Sequence, residues 1–357
     1  MRCRICGRKW RCFWCGGRGG LGVGLAARGI GAGLLLRAAF DGSEPSLSPR
    51  PTLLVNSRTM SDPIGGDLHA GLSHLCLADD CLDLGEGISL RKTYAHLMAP
   101  FMIAFKPAPP GRAHPAPWKA ARGGFYFDVT ADLTIPAALE GTYGAKVSIA
   151  KTVVFLLRLG VNPAVLVPVL SNYPFATLPN VADNEAELLP FEIHHRYFSL
   201  AVDGGAMTTD SAEWVRSRWQ ITHSLIGESS EFALAVDALS SGQFVKSSAL
   251  ILVSLWGALE ALFSPSTTEL KFRVSSLIAA FLEPFGNSRG LQQKQIAKLY
   301  DKRSAAAHGK PTHGEEDVLG SFILLRRVLM RIIDNKKMPS REDLESLLFG
   351  SLGKPGN

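Results

Sequence analysis

With 357 residues, of which 46% are hydrophobic and 20% charged, the chain has enough apolar material for a sizeable core, which excludes an intrinsically disordered protein. This length suggests two domains more readily than one. The net charge of +6 comes from the amino terminus, because residues 1–59 carry ten Lys and Arg against two acids, and the rest carries 28 against 30. Bulk basicity is therefore no argument that the folded part binds nucleic acid.

The cysteines are concentrated at the amino terminus. Cys3 and Cys6 form one Cys-x-x-Cys pair and Cys12 and Cys15 form another, and two such pairs can supply the four thiolates of a tetrahedral zinc site. Only five residues separate the pairs, which is shorter than the hairpin between the two halves of a typical zinc ribbon. We therefore predict no metal and no cofactor, and these four cysteines remain the alternative as a zinc site.

Cysteine usage also bears on location. Cys76 and Cys81 lack a companion pair and are predicted to be buried thiols. Because no cysteine follows Cys81, we do not expect a disulfide framework and predict a cytoplasmic protein. Residues 21–40 are Gly-rich and interrupted by two arginines, so we expect no membrane partner.

Composition changes abruptly at Met60, which suggests where the folded part begins. We predict that residues 1–59 are a disordered or mis-assigned extension, Met60 being the alternative start. Mixed strand and helix signals then predict an α+β domain over 60–205, whose role the sequence does not identify and for which a protein or ligand trigger is a candidate partner. A helical domain over 206–340 and a tail over 341–357 complete the predicted organisation.

The first domain contains two well-defined patterns. From Phe125 to Ile135 apolar and polar residues alternate, which predicts a half-buried strand. The proline-rich segment Lys106–Pro117 before it predicts an exposed loop. Residues 145–159 are apolar on a helical period and end at Gly160, as a helix does.

Two further strands are predicted around Val165–Leu170 and Leu189–Leu200. His194 and His195 lie in the second of them. Neighbouring residues of a strand point to opposite faces, so this histidine pair is not expected to act on one surface. A structural or surface role is the favoured interpretation.

After Asp210 the signals are helical, and short links between the segments predict a bundle of four or five helices. The sequence marks six helical segments, from which the four or five helices of the bundle are drawn: one containing Trp214, Trp219 and Leu225, then Glu231–Ser241, 243–263, a helix ending near Glu283, Leu291–Ala307 and Glu315–Asn335. Lys246 and Glu260 identify the apolar segment 243–263 as a core helix instead of a membrane span.

Three stretches of this bundle together resemble the Apea-like branch of the HEPN family: LWGALEALF (255–263), ELKFRVSSLIAAFLE (269–283) and LYDKRSAAAHGK (299–310). The resemblance covers roughly residues 230–335. It implies an all-α HEPN-like domain that forms a homodimer, cleaves RNA as a metal-independent endoribonuclease, and acts in defence or stress response. The alternative is a non-catalytic HEPN module that dimerises and binds RNA or a nucleotide.

The most specific element of the resemblance is Arg303, four intervening residues, His308 and then Gly309. Ser304 and Glu260 are lesser site candidates. RNA carries its own nucleophile, the 2′-hydroxyl, so cleavage needs a group that moves protons, for which His is suited, and a cation that stabilises the developing phosphorane charge, for which Arg is suited. Eleven Lys and Arg against five acids over residues 289–337 favour an RNA partner.

Helix geometry sets a condition on this pair. Five residues turn through about 500°, so Arg303 and His308 diverge by about 140° on a continuous helix. Either the helix ends near Ala307 and His308 turns back, or two chains complete the site, as the resemblance implies. The structural alternative is that Arg303 pairs with Asp301 or Glu260 and His308 caps the helix.

Overall fold

A computed structural model describes residues 64–182, 185–197, 206–263, 270–310 and 312–350. Within this part an antiparallel sheet is followed by a helical region, so the fold is α+β with a helical carboxyl-terminal part, as predicted. The cysteines at positions 3, 6, 12 and 15 and the rest of residues 1–59 lie outside the described residues.

Six strands form one sheet in which every neighbouring pair is antiparallel, in the order β2-β3-β4-β1-β5-β6. The strands are β1 (Leu68–Ser73), β2 (Cys81–Asp83), β3 (Ser89–Ala104), β4 (Trp118–Ile135), β5 (Leu166–Ser171) and β6 (Leu188–Pro190). β1 and β5 are buried along their whole length, as expected of strands covered on both faces.

β3 and β4 are much longer than their neighbours. Among the described strands, β2 pairs only with the first three residues of β3, and β1 pairs only with the last five of β4. Beyond these points the two strands pair with each other alone, out to Ala104 opposite Trp118. The hairpin therefore extends past the sheet, and residues 94–126 are called the β-arm below.

Among the described α-helices, one lies within the sheet part of the chain, and the others follow it. The first, α1 (Tyr143–Gly160), begins at Thr142, whose hydroxyl accepts a hydrogen bond from the amide of Ala145, and packs its apolar face beneath the sheet. Then come α2 (Thr209–Arg216), α3 (Trp219–Glu228), α4 (Ser230–Ser241), α5 (Ser248–Phe263), α6 (Leu270–Leu282), α7 (Asn287–Ala307), α8 (Glu315–Asn335) and α9 (Arg341–Phe349). None of the described helices is long and apolar enough to cross a membrane.

The predicted count of four or five helices is wrong, since the described part after residue 206 contains eight. One predicted segment divides into α2 and α3 at Ser217, whose hydroxyl donates to the carbonyl of Glu213. No Gly or Pro marks this break in the sequence. The predicted tail contains α9, which a capping box between Ser340 and Asp343 begins.

The strand predicted from Leu189 to Leu200 is also wrong in extent. β6 ends at Pro190, and residues 191–197 have no strand structure. His194 and His195 are therefore not neighbours on a strand. Each is exposed and lies against an aromatic ring, His194 against Phe244 and His195 against Tyr197.

Cys76 and Cys81 are exposed, which contradicts the prediction of buried thiols. Cys81 begins β2, a short edge strand in which only the middle residue, Leu82, points into the core. The alternation of a strand with one solvated face therefore places this thiol outward. The predictions for Phe125–Ile135, Lys106–Pro117, 145–159 and Val165–Leu170 are confirmed by β4, the loop before it, α1 and β5.

Candidate functional site

Arg303 lies on α7, one turn after the buried residue Tyr300, and its side chain is 20% exposed. Its Nη2 donates to Oε2 of Glu260 on α5 at 2.9 Å, and the Glu260 side chain is 18% exposed. Two elements far apart in sequence are thus joined by a charge-assisted hydrogen bond. Of the two carboxylates considered as partners, Glu260 is the one used, because Asp301 pairs with Lys271 at 2.7 Å.

Two aromatic side chains, Tyr300 and Trp256, pack next to this ion pair. The Arg303 guanidinium lies 5.5 Å from the centre of the Tyr300 ring, which packs edge-on against Trp256 at 5.2 Å. Burial raises the pKa of the Tyr300 phenol, and so do the negative charge of Glu260 and a hydrogen bond with it, while Arg303 opposes the shift. Tyr300 therefore stays neutral beside the ion pair.

The ion pair leaves polar capacity unused. Nε of Arg303 and Oε1 of Glu260 are both buried and have no hydrogen-bond partner among the described residues. Buried polar atoms of folded proteins are normally hydrogen-bonded, so this donor and this acceptor mark a polar site that the described residues of the single chain leave unsatisfied. Arginine has five N–H donors, and Glu260 is recorded with one of them.

His308 caps the carboxyl end of α7. Its amide donates to the carbonyl of Ser304 at 3.1 Å, and its backbone φ and ψ of −91° and 14° keep it close to helical. The chain turns only at Gly309, where φ is +72°, a conformation that favours glycine. The helix therefore continues to His308. The turn near Ala307 that would bring His308 back toward Arg303 within one chain does not occur.

The two predicted site residues consequently face different surroundings. Residues seven apart on a helix are nearly aligned, so Arg303 lies on the same side of α7 as the buried Ile296. His308 is exposed, and the structure records no hydrogen bond to its ring among the described residues. Viewed along the helix axis, the position of His308 is rotated by about 40° from Lys294 and by about 80° from Lys298. Both lysines are exposed.

The predicted residues are thus brought together only in part. Arg303 meets Glu260, and half-buried Ser304 contributes its carbonyl to the cap at His308. Tyr300 and Trp256 were not predicted. An aromatic residue three positions before an arginine on one helix was the available signal, since such residues lie on neighbouring parts of a helix face.

Comparisons with family models, with curated proteins and with solved structures found no match to this chain. In the described residues, no group of three or more His, Cys, Asp or Glu side chains is placed to hold a metal ion. The functional interpretation therefore depends on the chemistry of the residues around α7 and on the resemblance carried by their sequence.

Proposed function

We propose that the chain is a metal-independent endoribonuclease of the HEPN type, with a site completed between two copies of the chain. The observation that carries this proposal is the arrangement on α7, where an exposed His308 ends a face bearing Lys294 and Lys298 and Arg303 keeps an unpartnered Nε. The lysines attract the phosphate backbone, and the histidine is accessible to it.

The chemistry requires one proton-transferring group and one cation. His308 takes the proton of the RNA 2′-hydroxyl as that oxygen attacks the adjacent phosphorus, and the bond to the 5′-oxygen of the next nucleotide breaks. The 5′-oxygen receives a proton from water as it leaves, so the products are a 2′,3′-cyclic phosphate and a 5′-hydroxyl. Arg303 stabilises the charge that develops on the phosphate oxygens.

Two copies are needed because of the direction of the side chains. Within one chain Arg303 and His308 diverge by about 140°. A two-fold related copy can place its His308 opposite the Arg303 of the first, since a symmetric interface brings the same patch of each chain together. Glu260 then holds Arg303 in place while other guanidinium donors meet the phosphate.

The proposal is tested by incubating the protein with a mixed pool of RNA in EDTA and analysing the ends of the products. We expect cleavage by the wild type with cyclic-phosphate ends, and a loss of at least about 100-fold in His308→Ala and in Arg303→Ala. His195→Ala, which removes another exposed histidine, is the matched control and should cleave normally. Equal cleavage by all four proteins contradicts the proposed site.

Mixing the two inactive variants tests the shared site directly. A mixed dimer of Arg303→Ala and His308→Ala contains one intact site and one doubly altered site. If chains exchange at random, about one quarter of the wild-type rate should return, whereas a site within one chain recovers nothing. The molar mass in solution, measured by light scattering, should be that of a dimer.

The alternative is a non-catalytic module that binds RNA or a nucleotide. The single chain favours it, because Arg303 and His308 lie about 140° apart around α7 and are not placed to act on one phosphate. This alternative predicts RNA binding that weakens in Arg303→Ala without any turnover. Sustained cleavage by the wild type excludes it.

A further inference from the structure

The β-arm exposes large side chains that the core does not use. On one face of it Tyr94, Met98 and Tyr126 are 67%, 67% and 75% exposed, and Met98 stands directly opposite Tyr126 across the two strands. His96 lies on the same face, opposite Asp128. The other face near the base of the arm packs against Phe175, so at the base the exposed rings lie on one side. Further out, Phe101, Phe105 and Trp118 are exposed as well.

These rings are held in fixed positions. Asp128 accepts a hydrogen bond from the Tyr94 hydroxyl at 3.2 Å and lies 2.8 Å from Nδ1 of His96. The His96 and Tyr126 rings are 6.1 Å apart with their planes 27° from parallel. Asp128 therefore holds Tyr94 and His96 in place, and the exposed Tyr126 ring lies nearly parallel to that of His96, which lowers the entropic cost of binding a flat partner.

The charged side chains of the arm are Lys and Arg. Residues 94–126 contain four Lys and Arg and no acid, although the chain outside residues 1–59 has a slight excess of acids. The basic residues are Lys106, Arg112, Lys119 and Arg122, and Asp128, two residues beyond the arm, places one negative charge beside Tyr94 and His96. A concentration of positive charge on a projecting element, interleaved with exposed rings, complements a polyanion that also presents flat groups.

We propose that the β-arm binds single-stranded RNA, with bases stacking on the rings of Tyr94, His96 and Tyr126 and phosphates drawn to the basic residues of the same arm. Base stacking on aromatic side chains and backbone attraction to Lys and Arg are the two general features of single-strand binding. The choice of RNA rests on the proposed function, since the arm then captures the strand that α7 cleaves. Binding itself does not depend on cleavage.

A membrane surface fits this element less well. The loop at the tip carries Lys106, Arg112 and His114, so inserting the tip into hydrocarbon would bury cations. The loop is also tied down, because the Trp118 indole donates to the carbonyl of His114 and Nδ1 of His114 lies 2.9 Å from the carbonyl of Lys106. A second copy of the arm would bring two positive charge sets together.

The test measures binding of a fluorescent single-stranded RNA of about 20 nucleotides by anisotropy, in EDTA and in the full chain carrying His308→Ala so that the probe stays intact. Replacing Tyr94 and Tyr126 together by Ala should raise Kd by about tenfold or more, as expected for loss of base stacking. Tyr126→Phe keeps the ring and should stay within about twofold. Phe285→Ala, which removes a highly exposed ring outside the arm, should leave Kd unchanged.

A second pair of variants keeps the test informative if the double alanine variant does not fold. Lys119→Gln with Arg122→Gln should weaken binding and reduce the slope of log Kd against log salt by about one to two. The proposal is overturned if neither arm variant changes Kd, if duplex RNA of the same sequence binds as tightly, or if anionic phosphatidylserine vesicles bind and RNA does not. If the wild type cleaves RNA but the arm variants bind it with unchanged Kd, only the β-arm proposal is rejected. If RNA binding depends on the arm but the wild type does not cleave RNA, only the nuclease proposal is rejected.

Discussion

Arg303 lies between a carboxylate and an aromatic ring, so its partners can be removed one at a time. In Glu260→Ala the guanidinium loses its recorded hydrogen bond in a largely buried place. We expect the free energy of unfolding to fall by about 2 kcal/mol, the cost of leaving a buried polar group unpaired. Asp301→Ala removes an exposed ion pair from the same helix and should cost less than about 1 kcal/mol. Urea denaturation distinguishes the two, and equal losses contradict the structural weight given to Glu260.

His74 gives a second residue-level prediction. Burial and the nearby Arg196 lower its pKa to about 4, and Asp128 opposes them. A base whose pKa is lowered by folding binds fewer protons in the folded than in the unfolded chain, so its stabilising contribution is present above pH 6.5 and is lost as the pH falls toward 4. Protein surrounds the imidazole on most sides, but more than one third of the residue's surface is still exposed, so we expect at most about 1 kcal/mol.

The matched variant for this effect is His74→Asn, because the φ of 62° at this position is one that asparagine tolerates. The urea midpoint of the wild type should fall more between pH 7 and pH 5 than that of the variant. A variant with the same or a larger fall over that range shows that His74 does not carry the pH dependence.

Only those features of the candidate site that depend on the spacing of nearby residues could be predicted from the sequence. The spacing of Arg303 and His308 identified the pair, and the helical turn of 100° per residue showed that they diverge. That Glu260 rather than Asp301 meets Arg303 depends on how α5 and α7 pack, which no local pattern contains. Tyr300 has the spacing of a core residue, and its contact with the guanidinium follows from the same packing.

At the scale of elements, the end of α7 decides where His308 lies. Gly309 has φ of +72° and open space around its α-carbon, so Gly309→Ala meets conformational strain without a clash and should destabilise the protein by about 1 kcal/mol. Gly290, in the body of the same helix, also has open space, and Gly290→Ala should stabilise by about 0.5–1 kcal/mol. Opposite signs in thermal unfolding support this account of the cap, and a Gly309→Ala variant as stable as the wild type contradicts it.

Elements with strong end signals were predictable and the others were not. α4 ends at Gly242, and α6 ends just before Pro284, so their ends are marked in the sequence. The long strand β3 was missed because most of it lies in the β-arm, where both faces are largely exposed and the alternation of apolar and polar residues that marks a strand is lost. β1 is buried throughout and short, so it has no alternation either.

At the scale of the whole molecule, the sheet and the helices share one core. The buried cluster runs without interruption from β1 and α1 through α5 and α8. Hydrogen bonds also join the two parts, since the Trp219 indole donates to the carbonyl of Leu84 and Nε of Arg326 donates to the carbonyl of Leu159 at 2.6 Å. The division into domains near residue 205 stays a prediction, since residues 198–205 lie outside the described part.

The shared core predicts that the sheet and the helices unfold together. Two units with separate cores can unfold independently. Here the apolar face of α1 lies between β1 and the helices α2, α3 and α4. Unfolding of the sheet or of these helices therefore exposes apolar surface of α1 to water. We expect one thermal transition, with calorimetric and van't Hoff enthalpies that agree. Hydrogen exchange should then report the same opening free energy for the most protected amides of β5 and of α5. If β5 exchanges through an opening lower by more than about 2 kcal/mol, the sheet opens by itself and the core does not couple the two parts.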